Sequence, residues 1–203
     1  MKIYKNLFRI LSVAAFMMLM ISSVACSKNK EGEETKVEGP QYQITVTQGQ
    51  VKLGDIIVEL FPDVAPEHCR NFDSLVAAKF YDGTAFHRVI PGFMIQGGDP
   101  NSKDKPRNKW GQGDPSQRMI KAEFNKKSHK RGILSAARRG GDNNSATSQF
   151  FIMVNDAPHL DGQYTVYGHV LTGMEIADKI VNSKRDAGDN PIEKIEMKIT
   201  KIK

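Results

Sequence analysis

Phe86-His87-Arg88-Val89-Ile90-Pro91-Gly92-Phe93-Met94-Ile95-Gln96-Gly97-Gly98-Asp99-Pro100 sets one fixed cation in a run of apolar and small side chains. Apart from His87, Arg88 is its only basic residue, and Asp99 is its only acid. Pro91-Gly92 and Gly97-Gly98 read as turns. The stretch reads as a short strand, a tight turn, a second short strand and a glycine-rich exit. Alternation places Phe86, Arg88 and Ile90 on one face and His87 and Val89 on the other. An arginine beside Phe93, Met94 and Gln96 on a sheet surface implies an apolar pocket with one polar handle.

Upstream, Tyr42, Ile44 and Val46 alternate with polar residues, and 56–61 is a second strand. Gly54-Asp55 marks the turn between them. Residues 64–80 carry helical periodicity, with Pro66 in the first turn and Phe72, Leu75 and Val76 on one side. Downstream, 101–125 is loop-like, and Trp110 within it packs on the domain or lines a groove. Residues 132–137, 149–154 and 165–171 read as strands, 157–164 as an ordered loop and 173–181 as a helix. Ile192, Ile195, Met197 and Ile199 suggest a last strand with an irregularity. Eight short, mostly sequential strands with helices near the two ends predict a mainly β domain. A closed antiparallel β-barrel capped by two helices fits better than a βαβ sheet.

The chain has 203 residues, 39% hydrophobic and 26% charged, which is globular composition. Residues 1–25 stand outside the fold. Lys2, Lys5 and Arg9 precede an uncharged apolar run that is shorter than the ~20 residues of a membrane-spanning helix. Cys26 follows Ala25, and polar sequence begins at once. The layout resembles a bacterial lipoprotein signal with cleavage before Cys26 and lipid on its thiol and new amino group. Ser23 departs from the usual Leu of that signal. The alternative is an ordinary secretory signal with an incidental cysteine. A lipid anchor would hold the protein to a bacterial membrane, in the cell envelope, without spanning it. Residues 26–40 form a polar tether whose only aliphatic residue is Val37. The tether spans roughly 20 Å on average. The domain occupies 41–203.

Losing Lys2, Lys5 and Arg9 would reduce the formal charge of +6 to +3, a weak reason to invoke nucleic acid. The basic clusters Lys126-Lys127, Lys130-Arg131 and Arg138-Arg139 lack interleaved aromatics and read as solvated faces. Two cysteines do not make a disulfide framework, and Cys69 reads as a small buried thiol. No phosphate loop, dinucleotide fingerprint or zinc motif occurs. The five histidines show no ligand spacing. His87 reads as a hydrogen-bonded core residue. Ser135, Ser145 and Ser148 lack the strand-turn-helix context of an exposed nucleophile. A reaction that needs no nucleophile, metal or proton relay fits best.

The opening stretch resembles the signature of the cyclophilins, the cyclosporin-binding peptidyl-prolyl isomerases. Gly132-Ile133-Leu134-Ser135, Ser148-Gln149-Phe150-Phe151-Ile152, Leu160-Asp161-Gly162 and Val166-Tyr167-Gly168-His169-Val170 follow in register, so the resemblance covers 41–203. It implies an eight-stranded antiparallel barrel capped by two helices, in agreement with the pattern. It implies that Arg88 is the catalytic arginine, and that Phe93, Met94, Phe151 and Leu160 wall a proline pocket. Gln96 and Gln149 match groups that bind the substrate backbone and orient the arginine. Ala137 matches the groove floor, and Gly111 or Gly113 its glycine rim. No cofactor or metal is implied, and proline-containing polypeptides are the partners.

Three departures stand out. His159 occupies the place of a Trp associated with cyclosporin affinity, which implies weak cyclosporin binding. Tyr164 replaces a common His at the pocket edge and reads equally as core packing. Arg138-Arg139 replace an Asn-Ala pair whose backbone binds substrate, so the groove's charge changes. The implied function is acceleration of X-Pro bond rotation in extracytoplasmic proteins during folding. The competing reading is a proline-peptide binding module or holdase with little turnover.

Overall fold

Tyr42, Ile44 and Val46 are fully buried and alternate with polar neighbours, which builds β1 (Gln41–Gln48) as a one-sided strand. The computed structural model describes residues 38–203. The remaining elements in order are β2 (Val51–Leu60), α1 (Pro66–Ala77), β3 (Thr84–Ile90), β4 (Met94–Gly97), β5 (Ile133–Ala136), β6 (Phe150–Met153), β7 (Val166–Thr172), α2 (Met174–Val181) and β8 (Ile195–Lys201). The strands close into a barrel in the order β1-β2-β7-β5-β6-β4-β3-β8, and every pairing is antiparallel. Closure leaves no open sheet edge. This is the mainly β, two-helix barrel expected from the pattern. The proposed lipidation site Cys26, the signal at 1–25 and the tether up to residue 37 lie outside the described residues. At the boundary, the Pro40 carbonyl accepts from Leu60 N at 3.0 Å.

Several local expectations need correction. The turn between β1 and β2 falls at Gly49-Gln50, because Gln48 pairs with Val51. Gly54 lies within β2, where an added Cβ would sit 2.4 Å from Ile176 Cδ1. Gly54 therefore marks the close approach of α2, not a turn. The last strand begins at Ile195, and Ile192 is exposed in the preceding loop.

Helix α1 is shorter than its periodic pattern. It starts at Pro66 and has no side-chain cap of its own. Glu123 supplies one from a distant loop, accepting from Glu67 N at 3.0 Å and His68 N at 2.9 Å. The helix ends where Lys79 turns left-handed at φ 54°. There Lys79 N bonds Val76 O and Phe80 N bonds Leu75 O. That is a Schellman closure with lysine where glycine is usual.

Phe72 of α1 packs edge-on against Tyr42 and Phe150, so the helix plugs one end of the barrel core. Cys69 is buried as expected. Burial pushes its thiol up to about 12, well away from a reactive thiolate. Trp110 packs on the domain: its Nε1 donates to Lys105 O at 2.9 Å and Arg107 lies over its ring.

Candidate active site

Strand β6 is buried along its whole length, yet its two faces serve different clusters. Phe150 and Ile152 enter the barrel core. Phe151 and Met153 belong to a second apolar cluster with Met94, Ala157 and Leu160. Ile90, Phe93, Ile133, Ala137 and Tyr164 pack against this second cluster. Four neighbouring strands, β3-β4-β6-β5, thus turn one continuous outer face toward a groove. Register aligns a row across that face: Arg88 opposite Gln96, Gln96 opposite Phe151, and Phe151 opposite Ser135.

Simple alternation would not put Arg88 there together with a buried Val89 and Phe86. The β3–β4 register slips between Phe86 and Arg88, leaving His87 as the extra residue of a bulge. Phe86 and Val89 both reach the core, while Arg88 is exposed on the groove side with Ile90 beside it. The expected face-sharing of Phe86 with Arg88 and Ile90 is therefore overturned. His87 is buried as expected, but among the described residues neither ring nitrogen meets a hydrogen-bond partner. Burial holds its pKa below the ordinary histidine range.

Arg88, Phe93, Met94, Gln96, Ala137, Arg138, Phe151, Leu160 and Tyr164 line one open pocket of about 110 Å³. Phe93 stands in the turn after β3, fixed by its own N to Ile90 O at 3.0 Å and by its O, which accepts from Val154 N at 3.0 Å. Leu160 comes from a single 3₁₀ turn, Pro158–Leu160. Tyr164 is half-buried; its ring meets Phe151 edge-on at 5.7 Å and lies under the Arg138 guanidinium at 4.5 Å. Arg138 is held there by donating from Nε to Gln163 O at 3.0 Å. His159 lines neither this pocket nor the adjoining hollow; it stacks on the outside of Phe93 at 5.9 Å.

The polar edge is a relay. Gln96 Nε2 donates to Gln149 Oε1 at 3.0 Å, and Gln149 Nε2 donates to Gly111 O at 3.1 Å. Gln149 sits at the rim of an adjoining hollow of about 380 Å³, which also takes in Gly111, Gly113, Arg138 and Arg139. Gly111 and Gly113, the two alternatives for a glycine at the rim, both line this hollow. Among the described residues, no hydrogen bond or ion pair holds the Arg88 guanidinium. It stays available to a group bound in the pocket.

Sequence reasoning placed Ile90 on the Arg88 face but missed other residues behind the pocket: Met153, Ile133 and Ala157. An unbroken apolar run such as 150–154 does not reveal which of its two faces meets the core. It also missed Met119, Asp114 and Thr147 in the second hollow, which lie in loops without periodicity.

Residues 42–203 match the family model described as cyclophilin type peptidyl-prolyl cis-trans isomerase. The chain belongs to the cyclophilins. A Brucella suis protein named "Probable peptidyl-prolyl cis-trans isomerase" is 40% identical over 174 residues, covering 84% of this chain and 83% of that one. A peptidyl-prolyl cis-trans isomerase of Schizosaccharomyces pombe is 38% identical over 148 residues, covering 73% and 92%. The crystal structure of a Cryptosporidium parvum cyclophilin superposes with a TM-score of 0.71 at 32% identity, covering 81% of this chain and 98% of that one. The same parasite protein was also solved in the presence of the dipeptide Ala-Pro. The cyclophilin barrel expected from the opening stretch is thus the fold observed.

Proposed function

We propose that this cyclophilin accelerates X-Pro rotation in extracytoplasmic proteins, with Arg88 as its catalytic group, while lipid on Cys26 holds it at a bacterial membrane. Its reaction is peptidyl-prolyl cis-trans isomerisation. The observation that carries the role of Arg88 is its guanidinium, without a partner among the described residues, at the edge of an apolar pocket.

Rotation about a peptide bond faces a barrier of ~18–20 kcal/mol because the nitrogen lone pair is delocalised into the carbonyl. For X-Pro this means tens to hundreds of seconds unaided. Phe93, Met94, Phe151 and Leu160 would fix the proline ring by apolar burial. Gln96 and Gln149 would hold the flanking backbone. A guanidinium directed at the prolyl nitrogen favours the twisted state, in which the lone pair is localised on nitrogen. Lowering the barrier by about 7 kcal/mol gives roughly a 10⁵-fold acceleration. Arginine suits this role because it stays protonated and offers a rigid fork of donors. None of these steps needs a covalent intermediate.

The anchor rests on the basic start, the short apolar run and the abrupt polar sequence after Cys26. Substitution of Cys26 by Ala is expected to abolish lipid labelling and to release or misprocess the protein. Persistent labelling would remove the anchor from the account. For the activity, the purified protein is expected to speed refolding of a client limited by X-Pro isomerisation. Clear binding of a proline peptide without acceleration would make it a binding module or holdase instead. With His159 on the outside of Phe93, weak cyclosporin binding is the expectation, measurable by titration.

A further inference from the structure

One buried group behind the groove is used by none of the steps above. His129 is 1% exposed and lies against the end of the Arg88-Gln96-Phe151-Ser135 row. Its Nε2 meets Ser135 Oγ at 3.1 Å. Its ring stacks on Phe151 at 6.1 Å and meets Tyr164 edge-on at 6.5 Å. Its backbone N donates to Asp161 Oδ1 at 2.7 Å, and its Nδ1 lies 2.9 Å from the same oxygen. Its carbonyl accepts from Ala157 N at 2.8 Å. One residue thus touches or ties down Phe151, Tyr164 and, through Ala157 and Asp161, the turn that presents Leu160.

We propose that His129 is the positioning residue of the proline pocket: it fixes the spacing of Phe151, Leu160 and Tyr164 and so sets affinity for the proline ring. This rests on the isomerase reading of the pocket. The connection Asp161-His129-Ser135 has the order of a hydrolytic triad, but Ser135 is 0% exposed and no substrate carbonyl can reach it.

The groups facing the imidazole make it a neutral fixture. Burial lowers its pKa, and nearby His159 acts in the same direction, while Asp161 opposes both. Asp161 is itself held below the usual carboxylate range by the backbone and ring bonds from His129. Nδ1 faces the Asp161 carboxylate, which can only accept, so the neutral ring carries its proton there; Ser135 Oγ, 3.1 Å from Nε2, donates to Thr165 O at 2.9 Å. Tyr164 and the Arg138 guanidinium above it complete the surroundings on the groove side. Thr165 O also accepts from Ala136 N at 2.9 Å.

The test compares the full chain with its His129→Ala and Ser135→Ala variants. Affinity for an Ala-Pro peptide is read by titration, and kcat and KM by NMR exchange between the cis and trans forms. His129→Ala is expected to raise Kd and KM about tenfold with kcat within about twofold, the pattern of lost uniform binding. Ser135→Ala, which keeps the ring and removes its Nε2 neighbour, is expected to give a smaller rise in the same direction. Ile199→Ala truncates the barrel core away from the groove, and it is expected to lower stability without moving KM. Nitrogen-15 shifts of His129 should report the neutral Nδ1–H form at pH 7 and should move when peptide saturates the pocket.

Parental Kd and KM in both groove variants would overturn the proposal, as would an equal rise of KM in Ile199→Ala. If His129→Ala does not fold, Ser135→Ala decides alone. A parent that binds peptide but does not turn it over defeats the isomerase reading and leaves Kd to decide the role of His129. A parent that binds no peptide overturns both.

Discussion

Arg88 owes its place to a single extra residue. Without the bulge at His87, a strand that buries Val89 and Phe86 could not also turn Arg88 to the groove beside Ile90. The sequence shows the arginine and the apolar company it keeps, but alternation assigns the wrong neighbours to its face. A bulge leaves no mark in composition, because His87 is as buried as a core residue. The relay of Gln96, Gln149 and Gly111 also hangs on single side chains. Gln149→Ala removes the acceptor of the Gln96 amide and frees the Gly111 carbonyl. One net hydrogen bond contributes about 0.5–1.5 kcal/mol. An about fivefold to tenfold fall in kcat/KM is therefore expected by NMR exchange, with little change in thermal stability.

Strands and helices were legible where one face meets water and one meets the core. β1 shows this in Tyr42, Ile44 and Val46. The boundaries were legible only where local chemistry sets them. Pro66 marks the start of α1, but its cap comes from Glu123, more than fifty residues on, and no scan of the helix's own sequence contains it. Its end is a left-handed Lys79, where a search for glycine finds nothing. Gly54 misled in the opposite sense, since it makes room for Ile176 and no turn. In the site, Phe93, Met94, Gln96 and Phe151 could be named from motif alone. His129 and Met153 could not, because their role depends on which face of a doubly buried strand they meet.

Burial raises the Glu123 pKa, but bonds from the His68 ring and from the Glu67 and His68 amides outweigh it and hold the group below its ordinary value. His68 is itself lowered by burial, against the pull of Glu123, so the pair is a neutral imidazole bonded to a carboxylate. Glu123→Ala leaves two amides of the first turn of α1 without that acceptor. Loss of a helix cap costs about 0.5–2 kcal/mol. A fall of about 2 kcal/mol in urea-unfolding stability is expected, with no change in the denaturant slope.

For the whole molecule, buried titratable groups set the pH range of stability. His68, His87 and His129 all have folded pKa values lowered, first by burial. The unfolded chain then binds more protons below about pH 6.5. Stability from these groups is complete above that pH and is lost as pH falls, by up to about 1.4 kcal/mol per pH unit for each histidine. Cys69, raised to about 12, acts at the other end: the unfolded thiol ionises first, so stability is lost as pH climbs above about 8.5. Urea midpoints are expected to plateau between about pH 7 and 8.5 and to fall steadily from pH 6.5 to 5. A flat profile across that acid range would mean that the three imidazoles are not held neutral in the fold.

The central claim is that Arg88 lowers the rotational barrier of a proline held in the pocket by other residues. Cis-trans exchange of an Ala-Pro peptide, followed by NMR with the parent and with Arg88→Ala, tests it most directly. Removing one preorganised donor from a reacting centre costs about 10²–10³-fold in turnover. The expected result is a loss of that size in kcat/KM, with peptide affinity within about threefold of the parent because the apolar walls remain. Turnover within twofold of the parent in a folded Arg88→Ala protein would contradict the account.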